Sequence, residues 1–411
     1  MKLEDRKSIE PLLNIDRLQR MFDKYHLDIL IASSPTNVQY TTGFRPVEEL
    51  TSNPSGSHQT FAILSKNYPD ICLIIPQSDI AAFCYSDSWA NEIEVYGGCY
   101  QFSGVELNTK EKQVIEICQY SKKSGFGTAL EALKSVLKKY KMEKSCIGID
   151  EMYLDPKLLN EIMTSFPQAE VKYAHHVFSE IRAVKTSSEI VKLKESINVT
   201  EGAIKAAREA IKASVTEIEL ASILLNYIIK KKAFPILWYV GAGRSSSLID
   251  REAFSSQKVY PGDWIMFDVG CRFDGYGSDL ARSYVFNKPS KRQIEYYKAI
   301  QTGREEAISR IRPGVMTEEI LDAAIRAIQR EGIPHFDRIG IGHGIGCDLH
   351  EAPFITKQNK MPIEKGMVIC VETPYYEIGW GGIQLEDTML VTDTGVEFLS
   401  TMPVELTILG E

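Results

Sequence analysis

Two acidic residues stand at the ends of apolar segments in the second half of the chain. Asp268 follows the run Ile-Met-Phe, and Glu372 follows the run Val-Ile-Cys-Val. Burial of a carboxylate beside an apolar strand costs free energy unless the charge is paired or binds a metal. In each case a turn and a second predicted strand follow, and that strand carries another acid, Asp279 or Glu386. The matching positions favour a shared role for the four carboxylates.

A histidine in a glycine-rich segment adds a fifth candidate ligand. His343 lies within residues 342–346 (GHGIG), and His350 follows seven residues later. Glycines let the backbone come close to a ligand. Four carboxylates and one imidazole suit a pair of divalent ions, with manganese as the first expectation and cobalt, zinc or iron as alternatives. Two ions about 3.5–4 Å apart share a water, lower its pKa and polarise a carbonyl. The constellation therefore predicts hydrolysis of an amide or a related bond.

The sequence of the first part of the chain predicts alternating helices and strands. It has predicted helices at 15–25 and 129–139 and predicted strands at 27–32, 61–64, 71–75 and 146–149, with a break at 33–37. This pattern predicts an α/β domain. We place the domain boundary within residues 180–185, which gives domains 1–180 and 181–411.

The second part begins with long helices. Ser187 or Ser188 is the predicted cap of a helix over 189–211, and Thr216 with Glu219 forms a capping box that opens a second helix. The remaining elements are predicted strands at 264–269, 276–286, 367–373 and 382–392, and predicted helices at 291–311 and 317–330. The order of elements predicts a mixed α+β domain.

The second part also repeats itself. Residues 215–220 resemble residues 316–321, and residues 262–268 resemble residues 366–372. In the second pair a carboxylate lies six residues after a glycine. Two helix–helix–hairpin halves with matching acids predict a pseudo-twofold domain with a site between the halves.

Composition excludes several classes of function. The 411 residues carry 47 basic and 55 acidic side chains, a net charge of −8, which argues against nucleic acid as the main partner. The sequence shows neither a signal-peptide pattern nor an apolar run long enough to span a bilayer, so we expect a cytoplasmic protein without a membrane partner. Its eight cysteines form no C-x-x-C pair, and we expect them to be reduced thiols.

The motifs resemble those of the creatinase/prolidase/aminopeptidase P family, which has the pita-bread fold. In the second part the matching segments are FDVG (267–270), GYGSDLARS (275–283), GHGIG (342–346), HEAP (350–353), VETP (371–374) and EDT (386–388). In the first part they are LDILI (27–31), NVQYTTGF (37–44) and the junction IRAVK (181–185). The resemblance covers nearly the whole chain. It implies an N-terminal creatinase-like α/β domain and a C-terminal pseudo-twofold pita-bread α+β domain.

The resemblance also implies residue roles. Asp268 would bind one metal through both oxygens, Asp279 and Glu386 would bridge two metals, and His343 and Glu372 would complete the other metal. Glu372 would also act as the general base towards the bridging water. His350 would hydrogen-bond the substrate carbonyl or the developing oxyanion. The family often dimerises, so a homodimer is the default expectation.

Two departures from the family pattern bear on the substrate. The peptidases usually have a further histidine before the first aspartate, but residues 241–260 contain none. By spacing that position falls near Asp250 or Arg251, either of which could contact a charged substrate group. The family often has arginine two residues before the last glutamate, where this chain has Gln384, which would support the metal site differently.

Three hypotheses follow. The first is a metallopeptidase that acts on the N-terminal bond of a short peptide, with Xaa-Pro as the expected bond. The second is a non-peptidase amidohydrolase on the same scaffold that acts on a small cyclic, guanidino or modified amide. The third is a binding module without catalysis, and the complete set of five ligands argues against it.

Overall fold

The computed structural model describes residues 1–3, 6, 9–46, 58–67, 70–101, 106–248 and 255–410. These residues form two compact units, Met1–Arg182 and Ala183–Glu411. Within the described ranges, none of the helices combines the length and the apolar character that crossing a bilayer requires.

The first unit alternates helices and strands. Its helices are α1 (Ile15–Tyr25), α2 (Pro35–Thr42), α3 (Ile80–Tyr85), α4 (Thr109–Ser124), α5 (Ala129–Lys139), α6 (Pro156–Ser165) and α7 (His175–Ala183), the last of which ends at the first residue of the second unit. Its strands are β1 (Ile29–Ala32), β2 (Phe61–Ser65), β3 (Cys72–Pro76), β4 (Glu92–Tyr96), β5 (Cys146–Ile149) and β6 (Glu170–Tyr173). The strands form one six-stranded sheet in the order β4-β3-β2-β1-β5-β6.

Most of the helices and strands predicted for this unit are confirmed. The helices at 15–25 and 129–139 and the strand at 146–149 have the predicted bounds. The break predicted after β1 is instead the start of α2. Ser34 accepts a hydrogen bond from the amide of Asn37, and Pro35 occupies the first turn, so the two residues begin a helix.

The second unit contains four long helices and twelve strands within its described residues. The helices are α8 (Ser187–Glu209), α9 (Glu217–Lys230), α10 (Lys291–Arg310) and α11 (Thr317–Arg330). The strands are β7 (Phe234–Ala242), β8 (Trp264–Phe273), β9 (Tyr276–Gly277), β10 (Leu280–Phe286), β11 (Gly340–Gly344), β12 (Glu351–Thr356), β13 (Val368–Glu372), β14 (Tyr375–Glu377), β15 (Gly381–Ile383), β16 (Glu386–Val391), β17 (Val396–Phe398) and β18 (Ile408–Leu409).

These strands form two large sheets and one small one. The first sheet has the order β18-β10-β8-β7, with β9 beside β8, and the second has the order β12-β11-β13-β16-β17. Strands β14 and β15 pair with each other. Helices α8 and α9 pack on the first sheet through Ile204 and Leu224, and α10 and α11 pack on the second through Ile300 and Ile328. Each pair of helices therefore buries its apolar face against one sheet, which is how layered domains exclude water.

The two halves repeat each other in structure as well as in sequence. Gly262 and Gly366 each form the turn that leads into the strand bearing an acid, β8 or β13, and both have positive φ, 89° and 85°, which glycine adopts without strain. Thr216 and Met316 each precede a helix and form an isolated bridge to a later segment. The structural equivalence of Thr216 and Met316 shifts the predicted alignment of residues 215–220 and 316–321 by one position.

One predicted helix cap is wrong. Neither Ser187 nor Ser188 caps α8, because both lie inside the helix. Thr186 is the N-cap: its side chain accepts a hydrogen bond from the amide of Glu189, and the Glu189 carboxylate accepts one from the amide of Thr186. This reciprocal pair of hydrogen bonds is a capping box, the same motif that opens α9 at Thr216.

Candidate metal centre

The five candidate ligands come from two different sheets. Asp268 lies in β8 and Asp279 directly precedes β10, so the first sheet supplies two carboxylates. His343 lies in β11, Glu372 ends β13 and Glu386 begins β16, so the second sheet supplies the other three ligands. Glu372 and Glu386 are direct neighbours in the antiparallel pairing of β13 and β16. Like charges that face each other across a ladder repel unless something neutralises them.

Short distances join the ligands from the two sheets. His343 Nε2 lies 3.6 Å from Asp279 Oδ2 and 3.7 Å from Glu386 Oε1. One ligand atom each from Asp268, Asp279 and Glu386 fall within 4.8 Å of one another. The carboxylate of Glu372 belongs to no such cluster among the described residues, but it lines the same cavity. The fold thus brings all five predicted ligands to one place.

Two buried carboxylate oxygens fit the presence of cations. Asp279 Oδ1 and Glu386 Oε1 are buried and accept no hydrogen bond from the residues that the structure describes. A buried oxygen with formal charge is costly unless a donor or a cation compensates it. Carboxylate oxygens with a single imidazole are the donor set that manganese, cobalt, zinc and iron accept. The residues of this site therefore fit a pair of divalent metals.

Electrostatics within the cluster point to the same conclusion. Burial raises the pKa of Glu386 well above its usual value, and the nearby charges of Asp279 and Glu372 raise it further. Burial and the charge of Asp279 raise the pKa of Glu372 to about 7. Without cations, burial and the neighbouring negative charges favour the protonated forms of Glu372 and Glu386. A bound divalent ion reverses this effect by favouring the ionised form.

His343 is prepared to act as a ligand. Burial lowers its pKa to about 4, so the imidazole is neutral at pH 7. Nδ1 lies 3.0 Å from the carbonyl oxygen of Gly344, which can only accept a hydrogen bond. The proton therefore sits on Nδ1, and the lone pair of Nε2 faces Asp279 and Glu386. A backbone carbonyl that fixes the tautomer in this way is common behind metal-bound histidines.

His350 lies at the open side of the cluster. Its Nε2 is 3.7 Å from Asp279 Oδ2, and its ring centroid is 4.1 Å from that of His343. Its side chain is 58% exposed, whereas that of Asp279 is 3% exposed. His350 is thus the member of the cluster that an incoming ligand would meet, as expected for a residue that contacts substrate.

Gln384 connects the cluster to a neighbouring tyrosine. Tyr376 donates its hydroxyl proton to Gln384 Oε1 over 2.5 Å, and Gln384 Nε2 donates to Glu372 Oε2 over 3.1 Å. An ionised carboxylate only accepts, so the bond to Glu372 places the amide nitrogen on that side and leaves the amide oxygen to accept from the tyrosine hydroxyl. Ser283 Oγ bonds both backbone groups of Gln384 and holds the residue in place. Gln384 therefore orients Glu372 without adding a charge.

Buried ion pairs support the backbone around the ligands. Arg282 donates to the carbonyl oxygen of Glu386 and to the carboxylate of Asp387, which also pairs with Arg304. Lys185 pairs with Glu351 over 2.6 Å, directly beside His350 in the chain. Since these pairs are almost fully buried, removal of one partner would leave an uncompensated charge. They fix the positions of Glu386 and His350.

The cluster opens into a cavity of about 650 Å³. The lining residues besides the ligands, His350 and Gln384 are Ile236, Leu237, Trp238, Tyr239, Arg338, Leu349 and Tyr376. A mostly apolar wall with a few polar groups is typical of a small-molecule site. Arg338 and Tyr376 could not be recognised as site residues from the sequence, because neither belongs to a motif or a repeat.

The substrate contacts predicted for Asp250 and Arg251 stay predictions. Both residues lie outside the described residues, which end at 248 and resume at 255.

The cluster of candidate metal ligands and the adjoining cavity together indicate the class to which this protein belongs. The carboxylates lie where they would repel one another without cations, and a neutral imidazole and a cavity of substrate size lie beside them. A hydrolase that depends on metal is the class that this fold and site define.

Family models match both parts of the chain. The model of metallopeptidase family M24 matches residues 191–393, and that of the creatinase/prolidase N-terminal domain matches residues 14–184. The chain belongs to metallopeptidase family M24, in its creatinase/prolidase branch. The predicted family, the two-domain pita-bread fold and the metallopeptidase class are thereby confirmed.

Individual relatives agree with this family. The Xaa-Pro dipeptidase of Pyrococcus horikoshii is 28% identical over 302 residues, which cover 72% of this chain and 82% of that protein. The Xaa-Pro dipeptidase of Pyrococcus furiosus is 25% identical over 397 residues, covering 95% and 99%. Among solved structures, the X-Pro aminopeptidase of Thermotoga maritima has a TM-score of 0.75 and 23% identity, covering 96% of this chain and 99% of its own. At that identity the likeness concerns the fold.

Proposed function

We propose that this chain is a dinuclear metal-dependent peptidase that cleaves the Xaa-Pro bond at the N-terminus of a short peptide. The observation that carries the proposal is the convergence of Asp268, Asp279, His343, Glu372 and Glu386 on one cavity. The names of the relatives, Xaa-Pro dipeptidases with 28% and 25% identity, support the choice of bond.

The ligand assignment follows the family resemblance, and it is supported by the position of all five residues in the lining of one cavity. Asp268 would hold one ion, Asp279 and Glu386 would bridge both ions, and His343 and Glu372 would complete the second. When bound, the ions supply a Lewis acid for the scissile carbonyl and a water of lowered pKa. The burial of Asp279 and Glu386 fits the bridging role, since a bridging carboxylate is shared by two cations.

Glu372 is the proposed general base. It is a carboxylate that is less tightly clustered than Asp279 and Glu386, and one of its oxygens is oriented by Gln384. The other oxygen would be available to accept a proton from the attacking water. A positioned base of this kind typically contributes about 10²–10⁴-fold to the rate.

His350 is the proposed donor to the developing oxyanion. We expect His350→Ala to lower kcat by about 10²–10³-fold, because a hydrogen bond to charge that develops in the transition state is lost. Steady-state kinetics with an Xaa-Pro dipeptide measure the effect. His176→Ala, which removes an exposed histidine of the first unit, is the matched control. An unchanged kcat in His350→Ala would remove His350 from the mechanism.

A substrate panel tests the proposed function. Chelator-stripped protein reloaded with manganese is expected to hydrolyse Xaa-Pro dipeptides, with little activity on a dipeptide without proline. The panel also contains a longer Xaa-Pro peptide and several cyclic and guanidino amides. Release of free amino acids is followed by chromatography. Failure on every peptide with metals bound would contradict the peptidase proposal.

The panel includes small amides because two features of the chain favour a second candidate. Residues 241–260 contain no histidine, and a neutral amide, Gln384, contacts Glu372. Both features distinguish this chain from the usual peptidase pattern. Hydrolysis of a small cyclic or guanidino amide, without peptide cleavage, would support a non-peptidase amidohydrolase.

A further inference from the structure

A buried thiol lies beside two of the candidate metal ligands. Cys370 is fully buried in β13, two residues before Glu372, and it pairs with His343 of β11 across the sheet. One ligand atom each from His343, Cys370 and Glu386 fall within 4.8 Å of one another. These three residues, called the sulfur site below, form a set of nitrogen, sulfur and oxygen donors that differs from the five ligands assigned above.

The register of the second sheet explains why these side chains meet. Residues that pair directly across neighbouring strands project from the same face, as do residues two apart in one strand. Cys370 pairs with His343 on one side and with Thr388 on the other, and Glu372 pairs with Glu386. All five side chains therefore project from the face that His343, Glu372 and Glu386 present to the metal cavity. The thiol lies behind these ligands, where an ion bound to them would meet it.

Hydrogen bonding leaves the sulfur lone pairs available. Thr388 Oγ1 donates its one proton to the carbonyl oxygen of Asp279 over 3.1 Å. The same hydroxyl oxygen lies 3.3 Å from Cys370 Sγ, so the thiol is the donor in this second contact. A thiol that donates its proton keeps its sulfur lone pairs for another partner.

The nitrogen and oxygen donors of the sulfur site are also available to an ion. The Nδ1 proton of His343 is directed to Gly344, which leaves the Nε2 lone pair 3.7 Å from Glu386 Oε1. That carboxylate oxygen is buried and accepts no hydrogen bond from the described part of the chain. Bonds of about 2.0–2.2 Å from a zinc ion to nitrogen and to oxygen span a separation of this size.

The sulfur atom decides which ions this set selects. Thiolates favour zinc and softer ions such as cadmium, whereas carboxylate oxygens suit manganese. The catalytic pair assigned above is held by four carboxylates and one imidazole, which is a mostly hard set. Both sets use His343 and Glu386, so a chain that holds an ion in the sulfur site cannot hold the complete pair.

We propose that His343, Cys370 and Glu386 bind a thiophilic divalent ion, zinc or cadmium, and that this ion blocks assembly of the catalytic pair. The ion forms a bond to Cys370 Sγ as the S–H bond breaks, the proton passes to solvent, and no electrons are transferred. Binding of the ion is independent of the proposed peptidase activity, whereas its inhibitory effect rests on that proposed function.

Cadmium is the probe, because a cadmium–thiolate bond gives a charge-transfer absorption band in the ultraviolet. Titration of cadmium into the chelator-stripped whole chain should give a band that Cys370→Ser lacks. Calorimetry should show cadmium binding weakened by at least about 10-fold in Cys370→Ser, the least that loss of even an outer-shell partner causes. Affinity for manganese should stay the same. Cys99→Ser removes an exposed thiol of the first unit and is the matched control, which should keep the band.

Several results would overturn the sulfur site. A band of equal size in wild type and Cys370→Ser, or no band in either, would do so. Equal weakening of cadmium and manganese binding would show that Cys370 only packs the sheet. Asp268→Asn removes a ligand that the sulfur site does not use, so loss of the band in this variant would place the ion in the catalytic pair instead. Thermal unfolding checks each variant, and Cys370→Ala replaces Cys370→Ser if the serine unfolds the protein.

Kinetics test the inhibitory effect separately. Cadmium added to manganese-loaded protein should inhibit hydrolysis of alanyl-proline at lower concentrations in the wild type than in Cys370→Ser. Equal sensitivity of the two proteins would overturn the inhibitory role. If no peptide is cleaved, the proposed function fails, but the absorption band still decides whether Cys370 binds the ion.

Discussion

Glu372→Gln is expected to lower kcat by at least about 10³-fold while the protein stays folded. The amide keeps the shape of the side chain but cannot accept the proton of water, and it is a weaker metal ligand than a carboxylate. The substitution removes both the general base and a metal ligand. Because both act on the same step, their effects are not additive. Folding should be preserved, because the neutral amide has nearly the size and shape of the protonated carboxyl that the raised pKa of Glu372 favours in the metal-free protein.

Two measurements check this prediction. Hydrolysis of alanyl-proline by manganese-loaded protein gives kcat, and thermal unfolding of the metal-free protein gives stability. Glu397→Gln, the same change at an exposed position in β17, is the matched control and should leave both values unchanged. Normal turnover by Glu372→Gln would refute the role of Glu372 as base. A large drop in stability would show that its charge serves the fold.

Metal loading should stabilise the protein and release protons. Binding at a concentration of about 100 times Kd contributes about 2.7 kcal/mol, which corresponds to an increase in Tm of about 5–10 °C for a unit of this size. Burial and mutual repulsion raise the pKa of Glu372 to about 7 and that of Glu386 well above its usual value. The raised pKa values favour the protonated forms of both groups in the metal-free protein, and a bound cation favours release of these protons.

The sign of the pH dependence follows from these shifts. Apparent metal affinity should fall as pH drops below about 7, because protons then compete for the two glutamates. His343, with a pKa of about 4, is already neutral at pH 7 and adds no proton release there.

Calorimetry in buffers with different ionisation enthalpies counts the released protons, and thermal unfolding with and without manganese gives the change in Tm. Asp279→Asn removes a proposed bridging ligand and should abolish most of both effects. An equal increase in Tm in wild type and Asp279→Asn would place the stabilising metal elsewhere.

The sequence was most informative where local rules decide the structure. The capping box at Thr216 and Glu219 is confirmed because its hydrogen bonds involve residues three apart in the chain. The acids Asp268 and Glu372 could be recognised because each ends or interrupts an apolar run in equivalent halves. Their convergence on one cavity could only be inferred from the repeat and the family resemblance, since it depends on how two sheets pack.

The parts that the sequence did not reveal depend on tertiary structure. Strand β7 was missed because Pro235 disrupts the strand pattern and because its side chains are mixed in exposure. Three-dimensional pairing with β8 makes it a strand, and it lines the cavity. Arg338 was missed because a single arginine before a glycine-rich segment looks like any exposed arginine. Only its position in the lining of the metal cavity distinguishes it.

Because the candidate ligands come from two sheets, bound metal would affect the stability of the second unit. Ions shared by Asp279, from the first sheet, and Glu386, from the second, would tie together segments that are far apart in the chain, much as a disulfide does. Unlike a disulfide, such a tie exists only while the folded site is assembled, so its binding free energy stabilises the folded state. Backbone amides of β8 and β16 should then exchange hydrogen with one common, larger opening free energy when metal is bound and with independent opening free energies after chelation. The catalytic ions would thus also be cross-links whose removal lets the two halves open separately.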